Sequence, residues 1–275
     1  MRICVSRPGR AVPSNMTSLV LAALLAAASP LAAQTAQVPA AAPKAPAADL
    51  AELPSARSLI ERHITAVGGR KAIMAHTSTH VTGTMTIAGS GMSGAVELFN
   101  AKPNLSLVKV TLPGIGEILD GFDGKTGWMT SPVMGPMVYQ AKELADRKFD
   151  ADYYGDLHDD SRYSSMRTVE KTTFEGKACY KVSLMRAGGG EDIEFYDVAT
   201  GLKAGGLTSR TTPMGEVAST SVMGEYKKFG DLLQPTYISQ TSMGAKQEVT
   251  ISTVDYDKVT PSVFEPPASI KALIK

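Results

Sequence analysis

From Ser78 onward the chain alternates with a period of two. In "VTGTMTI", Val81, Gly83, Met85 and Ile87 point one way and Thr82, Thr84 and Thr86 the other, the pattern of a strand with one buried face. The same alternation fits residues 92–100, 104–112, 115–122, 127–131, 163–172, 178–186, 191–197, 203–211, 216–228, 233–242 and 245–257. Short turn signals such as "AGSG", "FEGK", "RAGGGE", "TTPMG" and "KFGD" separate them. Closely spaced strands with tight turns predict an antiparallel sheet built of hairpins. Two segments break the period. Pro54, suited to a first helical position, opens a run in which Ala56, Ile60, Ile64 and Val67 recur at helical spacing until Gly68-Gly69. Residues 139–157, "YQAKELADRKFDADYYGDL", are dominated by helix formers. The predicted fold is mainly β (α+β): a large curled antiparallel sheet, with an N-terminal helix and a mid-chain helix covering its concave side. Space between helices and sheet would suit a hydrophobic ligand.

The first 53 residues follow neither period. Arg2, Arg7 and Arg10 precede the apolar run Leu19–Ala28, with Ala32-Ala33 as a cleavage site. That run is shorter than the roughly 20 residues a membrane span needs, so residues 1–33 read as a secretory signal peptide. Residues 34–53 are Ala/Pro-rich and read as a disordered tether, leaving 54–275 as one domain. The leader holds three arginines and no acidic residue, so its removal takes the net charge from +1 to −2. Such a chain has no electrostatic case for nucleic acid or an anionic membrane, and no later stretch is apolar enough to span one. Cys4 lies ahead of the apolar run, where it cannot serve as a lipid-anchor cysteine, and Cys179 alone remains afterwards, so no internal disulfide is possible. Export across the inner membrane follows from this reading.

The candidate chemistry thins on inspection. "GFDGKTGWMTSP" contains Gly-Lys-Thr, but the first glycine of a phosphate loop is replaced by Leu119 and strand-like sequence follows where a helix is needed. Asp123-Gly-Lys-Thr-Gly127 instead shares its Asp-x-x-Thr-Gly spacing with Asp197-Val-Ala-Thr-Gly201. Both read as structural turns, with aspartate accepting from nearby N–H groups and glycine free to adopt the left-handed conformation. Ser93 in "GSGMSGA" lacks the final glycine and helix of a nucleophile elbow. His76 and His80 sit four apart on a strand, about 13 Å, too far for one metal. His158-Asp159-Asp160, with Asp150, Asp152 and Asp156 upstream, is the best acidic cluster and reads as a solvated helix end. His63 has no sequence partner, and Cys179 reads as a core residue. The expectation is therefore no catalytic residue, no metal and no cofactor. Eleven methionines follow the leader, and such flexible side chains suit a wall that adapts to apolar ligands.

The order of features carries a resemblance. "ERHITAVGGRKAI" leads into "VTGTMTIAG"; then come "GFDGKTGWMTSPVMGP", "FEGKACYKVSL", "FYDVATGLKAG", "YKKFGDLLQPTYI" and "VFEPP". Together these resemble the bacterial outer-membrane lipoprotein-sorting (LolA/LolB-like) superfamily over residues 54–272. The resemblance implies a half-open barrel of about eleven strands with helices in its mouth. It also implies non-catalytic binding of lipid or lipoprotein acyl chains in the periplasm. Candidate cavity residues are then Met85, Met92, Leu98, Trp128, Met129, Met185 and Met223. The alternative is an envelope-protein interaction module that uses the same sheet without a small ligand.

Overall fold

The structure, a computed structural model, describes residues 53–274. The expected leader and nearly all of the tether lie outside the described residues. The elements are α1 (Ala56–Ala66), α2 (Arg70–Met74), β1 (Ser78–Ile87), β2 (Met92–Ala101), β3 (Leu105–Leu112), β4 (Gly116–Phe122), β5 (Gly127–Ser131), β6 (Gly135–Val138) and α3 (Ala141–Asp150). Seven long strands follow: β7 (Tyr163–Phe174), β8 (Lys177–Arg186), β9 (Glu191–Asp197), β10 (Lys203–Thr212), β11 (Gly215–Phe229), β12 (Leu232–Ser242) and β13 (Ala245–Tyr256). Helix α4 (Ala268–Lys271) ends the fold. All thirteen strands form one antiparallel sheet in the order β6-β5-β4-β3-β2-β1-β13-β12-β11-β10-β9-β8-β7. It stays open, with β6 and β7 as its edges. The strand that the twelve segments of the alternation leave out is β6, whose Gly135-Pro136 start hides the period-two signal; the resemblance implies about eleven.

The curl follows from what α3 touches. Arg147 of α3 bonds Asp120 on β4, while Asp150 of the same helix bonds Arg210 on β10. Those strands stand seven places apart in the sheet, which is about 34 Å if flat. Only a curled sheet brings both to one helix, so α3 crosses the concave side. Alternation does the rest. Val81, Met85 and Ile87 of β1 join Val96, Leu98, Val108, Val110, Ile238 and Val249 in one inward cluster. Helix α1 lies on the same side, packing Leu59, Ile60 and Ile64 against Val182, Leu184 and Tyr196. The outward positions Leu107 and Trp128 are covered by Phe264 and Ile270 of the C-terminal segment.

Local details refine three expectations. The first helical residue is Ala56, not Pro54: Ser55 caps α1, its Oγ accepting from the Ser58 N–H at 3.1 Å. Both repeated aspartates sit in turns: Asp123 Oδ1 accepts from Lys125 N and Thr126 N at 2.9 and 2.7 Å, and Asp197 Oδ1 from Ala199 N and Thr200 N, both at 2.8 Å. Gly201 has φ +76°, but in the first copy the left-handed residue is Gly124 (φ +95°). Gly127 begins β5 instead, and its lack of a side chain admits Tyr139, whose Cδ2 would lie 2.9 Å from a Cβ there.

Candidate functional site

Helix α3 carries charge where a core-facing helix normally carries leucine. Positions 143, 146, 147 and 150 recur at helical spacing and hold Glu143, Asp146, Arg147 and Asp150. Gln140 and Glu143 close a capping box at its start. Asp146 is the one fully buried residue of the helix. It accepts from Arg186 Nη1 of β8 at 2.6 Å and from the Thr211 backbone N–H at 2.9 Å. Arg147 Nε donates to Asp120 Oδ1 at 2.7 Å, and Tyr139 Oη donates to Asp120 Oδ2 at 2.9 Å. Asp150 receives Arg210 Nε at 2.9 Å, and Arg210 Nη1 reaches Asp192 at 2.6 Å. Phe149 lies among three cations: Arg186 and Arg210, at 5.5 and 5.9 Å from its ring centre, and a further one, the Arg162 guanidinium, at 4.0 Å.

The segment after α3 continues the pattern toward α1. Tyr153 meets Thr79 Oγ1 at 3.0 Å, and Tyr154 donates to the His76 carbonyl at 2.7 Å. His158 is buried and places Nδ1 2.8 Å from the Asp156 carbonyl and Nε2 2.9 Å from Glu194. A carbonyl and a carboxylate are both acceptors, so both ring nitrogens must carry protons and the imidazole is cationic. Burial opposes that charge, but the Glu194 carboxylate outweighs it and holds the pKa above the ordinary value. Glu194 also accepts from Lys203 Nζ and Tyr196 Oη. Burial opposes its ionisation too, yet His158 and Lys203 keep its carboxyl well below the usual range.

His63 of α1 behaves oppositely. Its Nδ1 accepts from the Lys203 backbone N–H at 3.2 Å, and burial, reinforced by the Lys203 charge, lowers its pKa to about 3. A histidine with a lowered folded pKa contributes stability that is fully present above the unfolded value near 6.5. That stability is lost as pH falls from 6.5 toward 3. In urea unfolding series, the wild type should lose up to about 1.4 kcal/mol per pH unit through His63 below pH 6.5. His63→Asn, which retains an acceptor toward Lys203, should lack that part of the slope. Identical slopes would contradict a neutral His63.

Between α3 and the sheet lies a cavity of about 80 Å³. Its floor is Val81, Leu98 and Val108; its walls include Arg147, Arg162, Lys203, Arg210, Asp192 and Glu194. A second space of about 40 Å³ is lined in part by the same Val108, Arg147, Asp150 and Arg210.

Of the residues expected to line a cavity, Leu98 does so. Met85 is buried in the inward cluster and Met92 packs against it. Met223 and Met129 are buried, the first opposite Ile238 on the neighbouring strand and the second opposite Asp120. Trp128 and Met185 lie elsewhere. Trp128 points outward, its ring across Gly121 and beneath Phe264 and Ile270. Met185 is 37% exposed because it alternates with the inward Leu184 and Arg186. The acidic cluster at 150–160 also departs from a solvated helix end: Asp159 and Asp160 are exposed, but His158 is buried and Asp150 is held by Arg210. Sequence reasoning passed over Arg186, Asp192, Glu194 and Arg210. Their signal was an ionisable side chain in phase with apolar inward positions, as Arg186 is with Val182 and Leu184.

A scan of protein-family models finds no match to this chain, and a search of curated proteins finds none. Solved structures do match. A DUF1329-family protein of Desulfovibrio piger superposes with a TM-score of 0.54 at 13% identity, covering 76% of this chain and 95% of that one. A LolA-superfamily protein of Nitrosomonas europaea gives 0.51 at 14% identity, covering 78% and 99%. The likeness is one of fold: the chain is a LolA/LolB-like open half-barrel. Among the described residues no helix is long and apolar enough to cross a membrane.

Proposed function

We propose that this is an exported periplasmic binding or carrier protein for a lipid or lipidated protein, held in the concavity beneath α3, with no catalytic step. One observation carries the reading: the helix across the concavity is tethered by ion pairs above an apolar floor. Charges released from such pairs regain hydration, which offsets much of the cost of parting them. A leucine-faced helix would have no such compensation. The cavity of about 80 Å³ is well below the roughly 300–1,000 Å³ of ligand pockets. An acyl chain therefore requires α3 and residues 151–162 to move aside. Met85, Leu98 and Met223 would form wall surface, with Met92 and Met129 flanking it.

Protein purified from a periplasmic extract should carry lipid detectable by mass spectrometry. After delipidation it should bind a fluorescent fatty-acid probe at one site. Absence of both would overturn the reading. An envelope-protein docking module is the second reading, favoured by how fully Val96 and Val110 are buried by the sheet's own side chains. A stoichiometric protein partner, with no bound lipid, would support it.

A further inference from the structure

The cavity beneath α3 offers donors that its own acceptors do not meet. Glu194 is engaged by His158, Lys203 and Tyr196, Asp150 and Asp192 by Arg210, and Asp152 by Arg162; Asp156 also lines the cavity, and burial raises its pKa. Two lining residues keep a shielded polar atom without a hydrogen-bond partner: Ser106 Oγ and Arg162 Nε. Ser106 is only 4% exposed. The remaining nitrogens of Arg162 are used, Nη1 on Asp152 and Nη2 on the Phe149 carbonyl at 3.0 Å. A buried donor left unmet costs about 1–3 kcal/mol, and the group that relieves it must bring an acceptor oxygen.

We propose that this cavity is a head-group site for an amphiphile bearing an oxyanion, a carboxylate or a phosphate. One oxygen would accept from Ser106 and Arg162, while the first methylenes rest on Val81, Leu98 and Val108. The proposal rests on the lipid reading and names which end of the lipid is held, and by what chemistry. The second space would take the rest of the chain once Arg147, Asp150 and Arg210, which line both spaces, move aside. Arg162 is a binding group here, and Ser106 the cleaner one to test, since its hydroxyl supports no other residue among those described.

Delipidated protein titrated calorimetrically with dodecanoate, dodecan-1-ol and inorganic phosphate separates the possibilities. Dodecanoate should bind at least about tenfold more tightly than the alcohol, as a hydrogen bond to a charged group warrants. Phosphate alone should bind weakly, lacking contact with the apolar floor. Ser106→Ala should weaken dodecanoate roughly five- to tenfold and dodecanol by less, because a neutral alcohol oxygen accepts the weaker hydrogen bond. Equal binding of acid and alcohol, unaltered in Ser106→Ala, would overturn the head-group site while the lipid reading survived. Water satisfies the donors in that case and prefers neither ligand. Phosphate as tight as dodecanoate would make this a free-anion site and also overturn the proposal. Failure of both amphiphiles would remove the lipid reading with it.

Discussion

Arg210→Ala is expected to lower the unfolding free energy by about 3–5 kcal/mol, because it strands two buried carboxylates, Asp150 and Asp192, without their cation. All three side chains are less than a tenth exposed with α3 in place, so water cannot replace the guanidinium unless the helix lifts. The loss should be local in origin as well as global in size. Asp150 is the last residue of α3, and the pair ties that helix to β10. Lys258→Ala, which removes an ion pair on an exposed surface, should change stability by no more than about 0.5 kcal/mol. A triple variant, Arg210→Met with Asp150→Leu and Asp192→Leu, should recover much of the deficit, since apolar groups of similar volume replace buried ion pairs well. Urea titrations of the four proteins decide it. A loss from Arg210→Ala no larger than that from Lys258→Ala would mean that ion pairs do not hold α3.

The second large effect belongs to Glu194. Glu194→Ala leaves the cationic His158 and Lys203 facing each other in a buried site, and about 3–5 kcal/mol should be lost. The size of that loss should depend on pH in a direction the shifts define. Glu194, with its lowered folded pKa, contributes stability present above about pH 4.5 and lost as pH falls. His158, with a raised folded pKa, contributes stability fully present below about pH 6.5 and lost as pH rises through the folded value. The gap between wild type and variant should therefore be widest between pH 4.5 and 6.5. It should narrow in alkali, where the variant's His158 sheds its proton and the repulsion with Lys203 disappears. Unfolding measured at pH 5.5 and pH 8.5 checks this; a gap that widens at the higher pH would refute the assignment of charge.

The sheet was legible because its strands are half-buried and its turns chemically explicit. Val81, Met85 and Ile87 announce one face of β1, and Asp197 with Gly201 announces a turn whatever surrounds it. The site was legible only in outline. Residues 139–157 could be assigned as helix-forming, but what the helix lies on depends on partners such as Arg210 and Asp192, more than forty residues away in sequence. Acidic residues at 150–160 favour solvent unless cations from other strands are brought to them, and local sequence contains no record of those cations. Trp128 illustrates the same limit. Its strand is clear, yet which face of that strand the C-terminal segment covers is fixed by Phe264 and Ile270, far along the chain.

Binding beneath α3 is the central claim, and amide hydrogen exchange with and without saturating dodecanoate tests it most directly. The account expects changed exchange concentrated in residues 139–163 and in the facing strands β3, β9 and β10, with the amides around Trp128, Phe264 and Ile270 unaffected. Exchange that is unaltered everywhere, or altered only beneath the C-terminal segment on the outer face, would contradict it.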